Sequence, residues 1–365
     1  MASKVPLAER WARIEAGLPA GVRARAIEEA RVVRLPAEVP PWTDTGVRLA
    51  KGDEVSILAE GRVVANEAAG LSFGPRYALW TRVGERGPVW TGTRGTQSFR
   101  AEREGALELA ILCGEWKTPD GALATPVAAY AEQKGGLDVL IVRWRGEAQA
   151  GLEALRAAAS DEPLVADELA RAAAPAVRPA GWSYLWFLGQ SETFRARRAD
   201  GSHSIECRSE DDVAILRRPL DFPLEADTEI RWRWKLDRLP SAKPEDTLLC
   251  HDYLSVAAEF DNGRDLSWFW SSSLAPETHF HCPIPQWTPR ETHLAVRSGT
   301  AGLGEWHDER RRVRDDYRRA MGEPPRRIVA LWLIATSVFQ HGSGAAEFAD
   351  LSLHGGGRSV EVIGA

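Results

Sequence analysis

The chain has 365 residues, 44% hydrophobic and 27% charged, with a formal net charge of −6. That is length enough for two domains that each bury a core, in the composition range of globular rather than disordered or fibrous proteins. The mild acidic balance argues against a nucleic-acid partner, and the lack of any apolar stretch of about 18 residues argues against a membrane span.

Met1 to Arg13 lacks the apolar core of a signal peptide, so a cytoplasmic protein is expected. Only six of the 46 basic residues are lysine, a bias that reads as the mark of a GC-rich genome. Cys113, Cys207, Cys250 and Cys282 are scattered and form no CxxC pair, which points to buried free thiols rather than a zinc ribbon or a disulfide framework.

In chain order, Leu7, Trp11, Ile14 and Leu18, then Val22, Ala26 and Ile27, follow helical spacing, and residues 1–31 read as a helical lead-in. Residues 32–147 change to short runs such as Val55–Ala59, Tyr77–Trp80 and Val139–Val142, separated by Gly, Pro, Asp and Asn, the rhythm of a β-sandwich. Residues 148–179 are rich in Ala, Leu and Glu, with Leu152, Leu155, Val165 and Leu169 at helical spacing, and read as a helical connector. Over 180–358 the strand signal returns near 229–236, 253–260, 266–271, 292–297, 327–337 and 346–353, interrupted by one expected helix from Asp308 to Met321 that Gly322 and Pro324-Pro325 end. The expected fold is all-β: two sandwich domains, jelly-roll-like, with a helical N-terminus and a helical connector.

The segments Trp42–Gly46, Leu49–Asp53, Val55–Gly61 and Leu79–Gly84 resemble the bacterial galactophilic lectin-like domain, a galactose-binding-type β-sandwich, over roughly residues 32–145. Such domains hold calcium through an Asn-Asp pair and a later Asn-rich turn; here Ile111–Glu115 and Ala131–Gly136 stand in those places and supply too few hard oxygen donors. The resemblance implies the fold without the calcium-dependent sugar site. From about Gly181 to Gly356 the chain is similar to DUF3047, a bacterial family of unknown function, through Arg231–Asp237, His251–Phe260, Trp270–Ser272, Val296–Gly299, Gly304–Trp306 and Glu309 to Tyr317. That similarity implies a concanavalin-like jelly roll and transfers no activity. Family members carry an Asp-Asp pair where His251-Asp252 stands and an acidic turn near Ala335–Gly342, so an ion site in them would be altered here.

Histidine and tryptophan crowd the C-terminal half: all eight histidines lie beyond residue 200, five of them between His251 and His307, among Trp268, Trp270, Trp287 and Trp306. Such a cluster can bind metal, move protons or stack on a ring-shaped ligand. Strand alternation places Ile230, Trp232, Trp234 and Leu236 opposite Arg231, Arg233 and Lys235. The same rule puts Tyr253 and Glu259 on one face, and His293 with Arg297 on one face. If those strands are neighbours, Arg231, Arg233, Tyr253, Glu259, His293 and Arg297 form a groove for a polyhydroxylated or anionic ligand, with His293 or Tyr253 able to move a proton beside Arg297. The competing reading is a solvated face of ordinary ion pairs.

His279 and His281, at i and i+2, share a strand face and are candidate ligands for a divalent metal, which His293 or a carboxylate would complete; Cys282 is a soft donor, but alternation aims it away from the pair. Trp268 and Trp270 read as sheet core, while Trp287 and Trp306, in Pro- and Gly-rich turns, are the candidates for exposed stacking. No GxGxxG, P-loop, GxSxG or HExxH occurs. The expected function is recognition or processing of a saccharide or other small polar or anionic ligand on the C-terminal sandwich. Two alternatives stand beside it: a metal-dependent or His/Tyr acid–base lyase or hydrolase, and a non-catalytic assembly scaffold.

Overall fold

The computed structural model describes residues 5–39, 42–91, 95–112, 114–159, 161–199 and 202–364; Cys113 lies outside them. The chain forms two compact units, Met1–Pro175 with Gly189–Ser191, and Ala176–Leu188 with Glu192–Ala365. Both are built on β-sheets, and the protein is all-β in class with a minority of helix. Among the described residues no helix is long and apolar enough to cross a membrane.

In the first unit, strand Glu54–Asn66 lies beside Lys134–Trp144, which in turn pairs with Ile27–Pro36; Leu71–Phe73 and Thr96–Arg100 also join Glu54–Asn66. A second sheet orders Trp42–Leu49, Gly105–Ile111, Leu79–Val83 and Trp90–Thr91. Strand Lys134–Trp144 is apolar on both faces because both are covered. Leu140, Val142 and Trp144 pack with Leu7, Trp11, Leu152, Leu155 and Val165 from the helices Leu7–Gly17, Ala148–Ala158 and Pro163–Ala173 and with Leu18 just past the first of them, while Val139 and Ile141 alternate to the other face.

The two helices expected as a connector therefore lie on the first unit's sheet. Their approach is close: a Cβ on Gly151 would stand 2.2 Å from the Trp144 ring, which accounts for glycine inside a helix that otherwise disfavours it. The N-terminal helices end at Ala26, and Ile27 already opens a strand, so the lead-in stops short of residue 31; Ile27–Pro36 pairs along Lys134–Trp144, with a register shift between Ile27 and Glu29. Arg10 ties the first helix to the sheet by pairing with both Glu60 and Glu162.

The second unit is a sandwich of a seven-stranded and a six-stranded sheet. The seven-stranded sheet runs Ser183–Tyr184, Val213–Pro223, Arg327–Thr336, Tyr253–Phe260, Asp265–Ser271, Glu291–Ser298 and His279–His281. All its pairings are antiparallel except that of Asp265–Ser271 with Glu291–Ser298, which is parallel. The six-stranded sheet runs Phe194–Ala199, Ser202–Glu210, Ser343–Gly355, Glu229–Arg238 and Trp306–Arg312, with Arg358–Ile363 also on Ser343–Gly355. Between them sits a core rich in indoles, with Trp232, Trp234, Trp268, Trp270 and Phe348 fully buried. Trp268 Nε1 donates to Asp316 and Trp234 Nε1 to Glu309, so these indoles bury their bodies while their polar edges are met.

The expected helix from Asp308 is corrected at its start: Trp306–Arg312 is a strand along Glu229–Arg238, and the helix covers Val313–Met321. The charges that imitate helical i, i+4 pairs are satisfied across strands. Glu309 accepts from Trp234 and Arg297, and Arg310 grips Glu229.

Candidate metal centre

The groove expected from strand alternation does not exist as one surface. Arg231 and Arg233 lie on the outer face of the six-stranded sheet, whereas Tyr253, Glu259 and His293 lie on the outward face of the seven-stranded sheet. Arg297 is on neither: a bulge slips the pairing from Phe269–Ala295 to Trp270–Arg297, turning its guanidinium to the core side beside Trp270, where it pairs with Glu309. The guanidinium groups are engaged, Arg231 with Glu229 and Arg233 with Asp308 and Asp350.

The face expected to be polar and open is instead covered. Leu185, Phe187, Leu274, Phe280, Ile284 and Trp287 pack over Tyr253, Ala257, Phe269 and Trp332. Trp287 is thus 6% exposed, with Arg290 stacked 3.8 Å from its ring centre, and is no free stacking platform. Trp306 is 38% exposed and carries Arg233 and Lys235 over its ring. Glu259 is held by Arg217 and Trp332 Nε1.

His279 and His281 share a face, as their spacing requires, but it is the solvent face, and His281 Nδ1 meets Thr292 Oγ1. The inward residue of that short strand is Phe280, stacked on His293 with ring centroids 5.1 Å apart. The structure thus separates the pair from His293: alternation that joins the two histidines also points them away from the buried cluster.

Beneath Phe280 four other side chains converge. His251, Cys282, Glu291 and His293 are all buried, and one ligand atom from each lies within 4.8 Å of every other. Glu291 and His293 are neighbours on one face of strand Glu291–Ser298. Cys282 follows strand His279–His281 and is fixed by Cys282 N–H donating to Glu291 O at 3.0 Å. His251 ends the short 3-10 turn Leu248–Cys250 that leads into strand Tyr253–Phe260.

Cys282 Sγ is 3.4 Å from His251 Nε2, and His293 Nε2 is 3.6 Å from Glu291 Oε1. Donors about 2.0–2.3 Å from a tetrahedral ion stand roughly 3.4–3.7 Å apart, so these pairs are already at shell spacing. His251 Nδ1 lies 2.7 Å from the Glu245 carbonyl oxygen; since a carbonyl only accepts, Nδ1 carries the proton and Nε2 presents its lone pair to the cluster. Tyr253 OH donates to Glu291 Oε1 at 3.2 Å. Among the described residues neither ring nitrogen of His293 has a hydrogen-bond partner.

Burial, then the nearby His293, holds the His251 imidazole down at about 3, so it is neutral near pH 7. For Glu291 burial acts upward, but the adjacent His293 ring, 3.6 Å away, outweighs it and lowers the carboxyl to about 2, so it is ionised. Burial, then the Glu291 charge, pushes the Cys282 thiol up. Two imidazole nitrogens, a carboxylate oxygen and a sulfur form a borderline-to-soft donor set that suits zinc and neighbouring transition ions rather than calcium or magnesium, and a coordinating ion would deprotonate the thiol.

Two of the four members, His251 and Glu291, escape the sequence reading as ligands, and Cys282 enters it only as a soft ligand that alternation aims away from His279 and His281. The signal present was Glu291-x-His293 at strand period; what the sequence hides is that loops carry His251 and Cys282 to it.

Residues 180–352 match the family described as "Protein of unknown function (DUF3047)", the family to which the C-terminal motifs pointed. No curated protein matches the chain. Among solved structures the chain is similar to the "EclA N-terminal domain; PllA-like lectin", at 20% identity over 31% of this chain and 94% of that one, with a TM-score of 0.25. It is also similar to the xyloglucanase domain of NopAA, a type three effector from Sinorhizobium fredii, in complex with cellobiose (7% identity, 51% and 94% covered, TM-score 0.30). A third similar structure is a mutant of the ENZbleach xylanase (9% identity, 52% and 93% covered, TM-score 0.23).

Proposed function

We propose that the second unit is a metal-binding β-sandwich, with a divalent transition ion held by His251, Cys282, Glu291 and His293. The observation that carries this reading is the convergence of four buried donors, one of them an imidazole with both nitrogens unsatisfied. Buried polar groups are otherwise hydrogen-bonded, and a metal supplies a partner for the one His293 nitrogen that carries a lone pair. The test is elemental analysis of protein purified without chelator, beside His293→Ala and a His279→Ala, His281→Ala double variant. Near one equivalent of metal is expected in the parent and the double variant and a loss in His293→Ala; no metal in the parent, or loss only in the double variant, would refute the assignment.

A second reading is favoured by one feature of the six-stranded sheet, an open depression of about 480 Å³ lined by Arg231, Arg233, Asp308, Arg310, Asp350 and His354 among others. It is a place for a saccharide or other polar ligand, recognised by hydrogen bonds from side chains that already pair with one another. Titration with neutral and acidic oligosaccharides against the parent and Arg233→Ala tests it, and equal or absent binding in both would end it.

A further inference from the structure

Resting on the metal-centre reading, we infer that the ion is zinc in a closed shell of four protein donors, and that it clamps two loops onto the seven-stranded sheet. A catalytic zinc keeps a coordination position for water or substrate, whereas a structural zinc has all four filled by side chains. Here four donors are present, and each comes from a residue no more than 3% exposed.

The donors also come from separate stretches. His251 closes the segment that starts after strand Glu229–Arg238, Cys282 lies in the segment between strands Asp265–Ser271 and Glu291–Ser298, and Glu291 with His293 belongs to the sheet itself. The first segment has little regular structure, and is held by Ser241 Oγ to the Lys243 carbonyl and by the Glu245 carboxylate to Ser271 Oγ and Ser272 N–H. The second bears Leu274, Phe280, Ile284 and Trp287, which cover the sheet. One ion bound to all four donors fastens both segments to a strand, and its binding free energy offsets the conformational freedom they lose.

The surroundings fit a fixed shell. The rings of Tyr253, Phe280 and Phe339 stand within 6.4 Å of the His251 ring. The Glu245 carbonyl fixes the His251 tautomer and Tyr253 OH orients the Glu291 carboxylate; loss of such outer partners typically weakens a metal about 10–100-fold without removing it.

The experiment substitutes cobalt(II) into the intact protein and records its visible spectrum with and without excess azide, then follows thermal unfolding and limited proteolysis of the zinc-loaded and chelator-stripped forms. A four-coordinate spectrum with a thiolate-to-cobalt band, unmoved by azide, is expected. Stripping should lower the melting temperature by about 10 °C for an ion held near a thousandfold above its dissociation constant, with new cleavage within 239–251 and 272–290. Tyr253→Phe should retain the spectrum and lose affinity by about 10–100-fold. Absence of bound metal overturns the metal-centre reading itself. A five- or six-coordinate spectrum, or one that azide shifts, leaves that reading standing and overturns the closed shell; an unchanged melting temperature and cleavage pattern after stripping overturns the clamp.

Discussion

His293 is fully buried and, among the described residues, neither of its ring nitrogens makes a hydrogen bond, Glu291 Oε1 standing 3.6 Å from Nε2, a state that costs roughly 1–3 kcal/mol per unsatisfied group. A residue kept in that state is explained by something that takes its lone pair, and the neighbouring donors supply the rest of a shell. Because the ion binds a thiolate and neutral imidazoles, binding releases protons and affinity should weaken as pH falls. Zinc competition titrations from neutral pH to pH 5 should show a falling affinity; a flat profile would argue against a thiolate ligand. At this scale the sequence was half legible: Glu291 and His293 stand two apart, but the more conspicuous His279-x-His281 diverts attention to residues that alternation sends into solvent.

At the scale of elements, Arg10 and Glu229 show how charge fixes helices and strands. Arg10 is little exposed and faces both Glu60 and Glu162; removing it leaves two carboxylates without their cation. Arg10→Ala should cost about 2–4 kcal/mol in urea unfolding, whereas Arg48→Ala, whose pair with Asp44 is exposed, should stay within about 0.5 kcal/mol. Equal effects would show that the Arg10 contacts do not fasten the helix.

Glu229, gripped by Arg310 and Arg231, is held down at about 2 from 4.5. A depressed folded-state acid adds stability that is present above the unfolded value and lost as pH falls through the folded one. The stability gap between parent and Glu229→Gln should therefore be full above about pH 5 and shrink between 4.5 and 2; a gap that does not change with pH would refute the pairing as its cause. Strands with one apolar face, such as Glu229–Arg238, were readable because alternate residues are buried. Trp306–Arg312 was not, because its inward residues are charged and its stabilising partners lie on other elements.

Over the whole molecule, the all-β class was legible from composition and turn rhythm, and the order of strands was not. Val213–Pro223 sits beside Arg327–Thr336, and Asp265–Ser271 runs parallel to Glu291–Ser298; such pairings join segments distant in sequence or oriented against the hairpin expectation, which local pattern does not encode. The expected groove failed for that reason, since Arg231 and His293 belong to different sheets. The four-donor cluster is the product of the same topology, gathering two loops and a strand at one buried point. X-ray absorption at the zinc edge of the intact protein tests it most directly. A zinc in this shell gives one sulfur at about 2.3 Å and three nitrogen or oxygen neighbours at about 2.0–2.2 Å; a shell without sulfur, or no zinc in the purified protein, would contradict it.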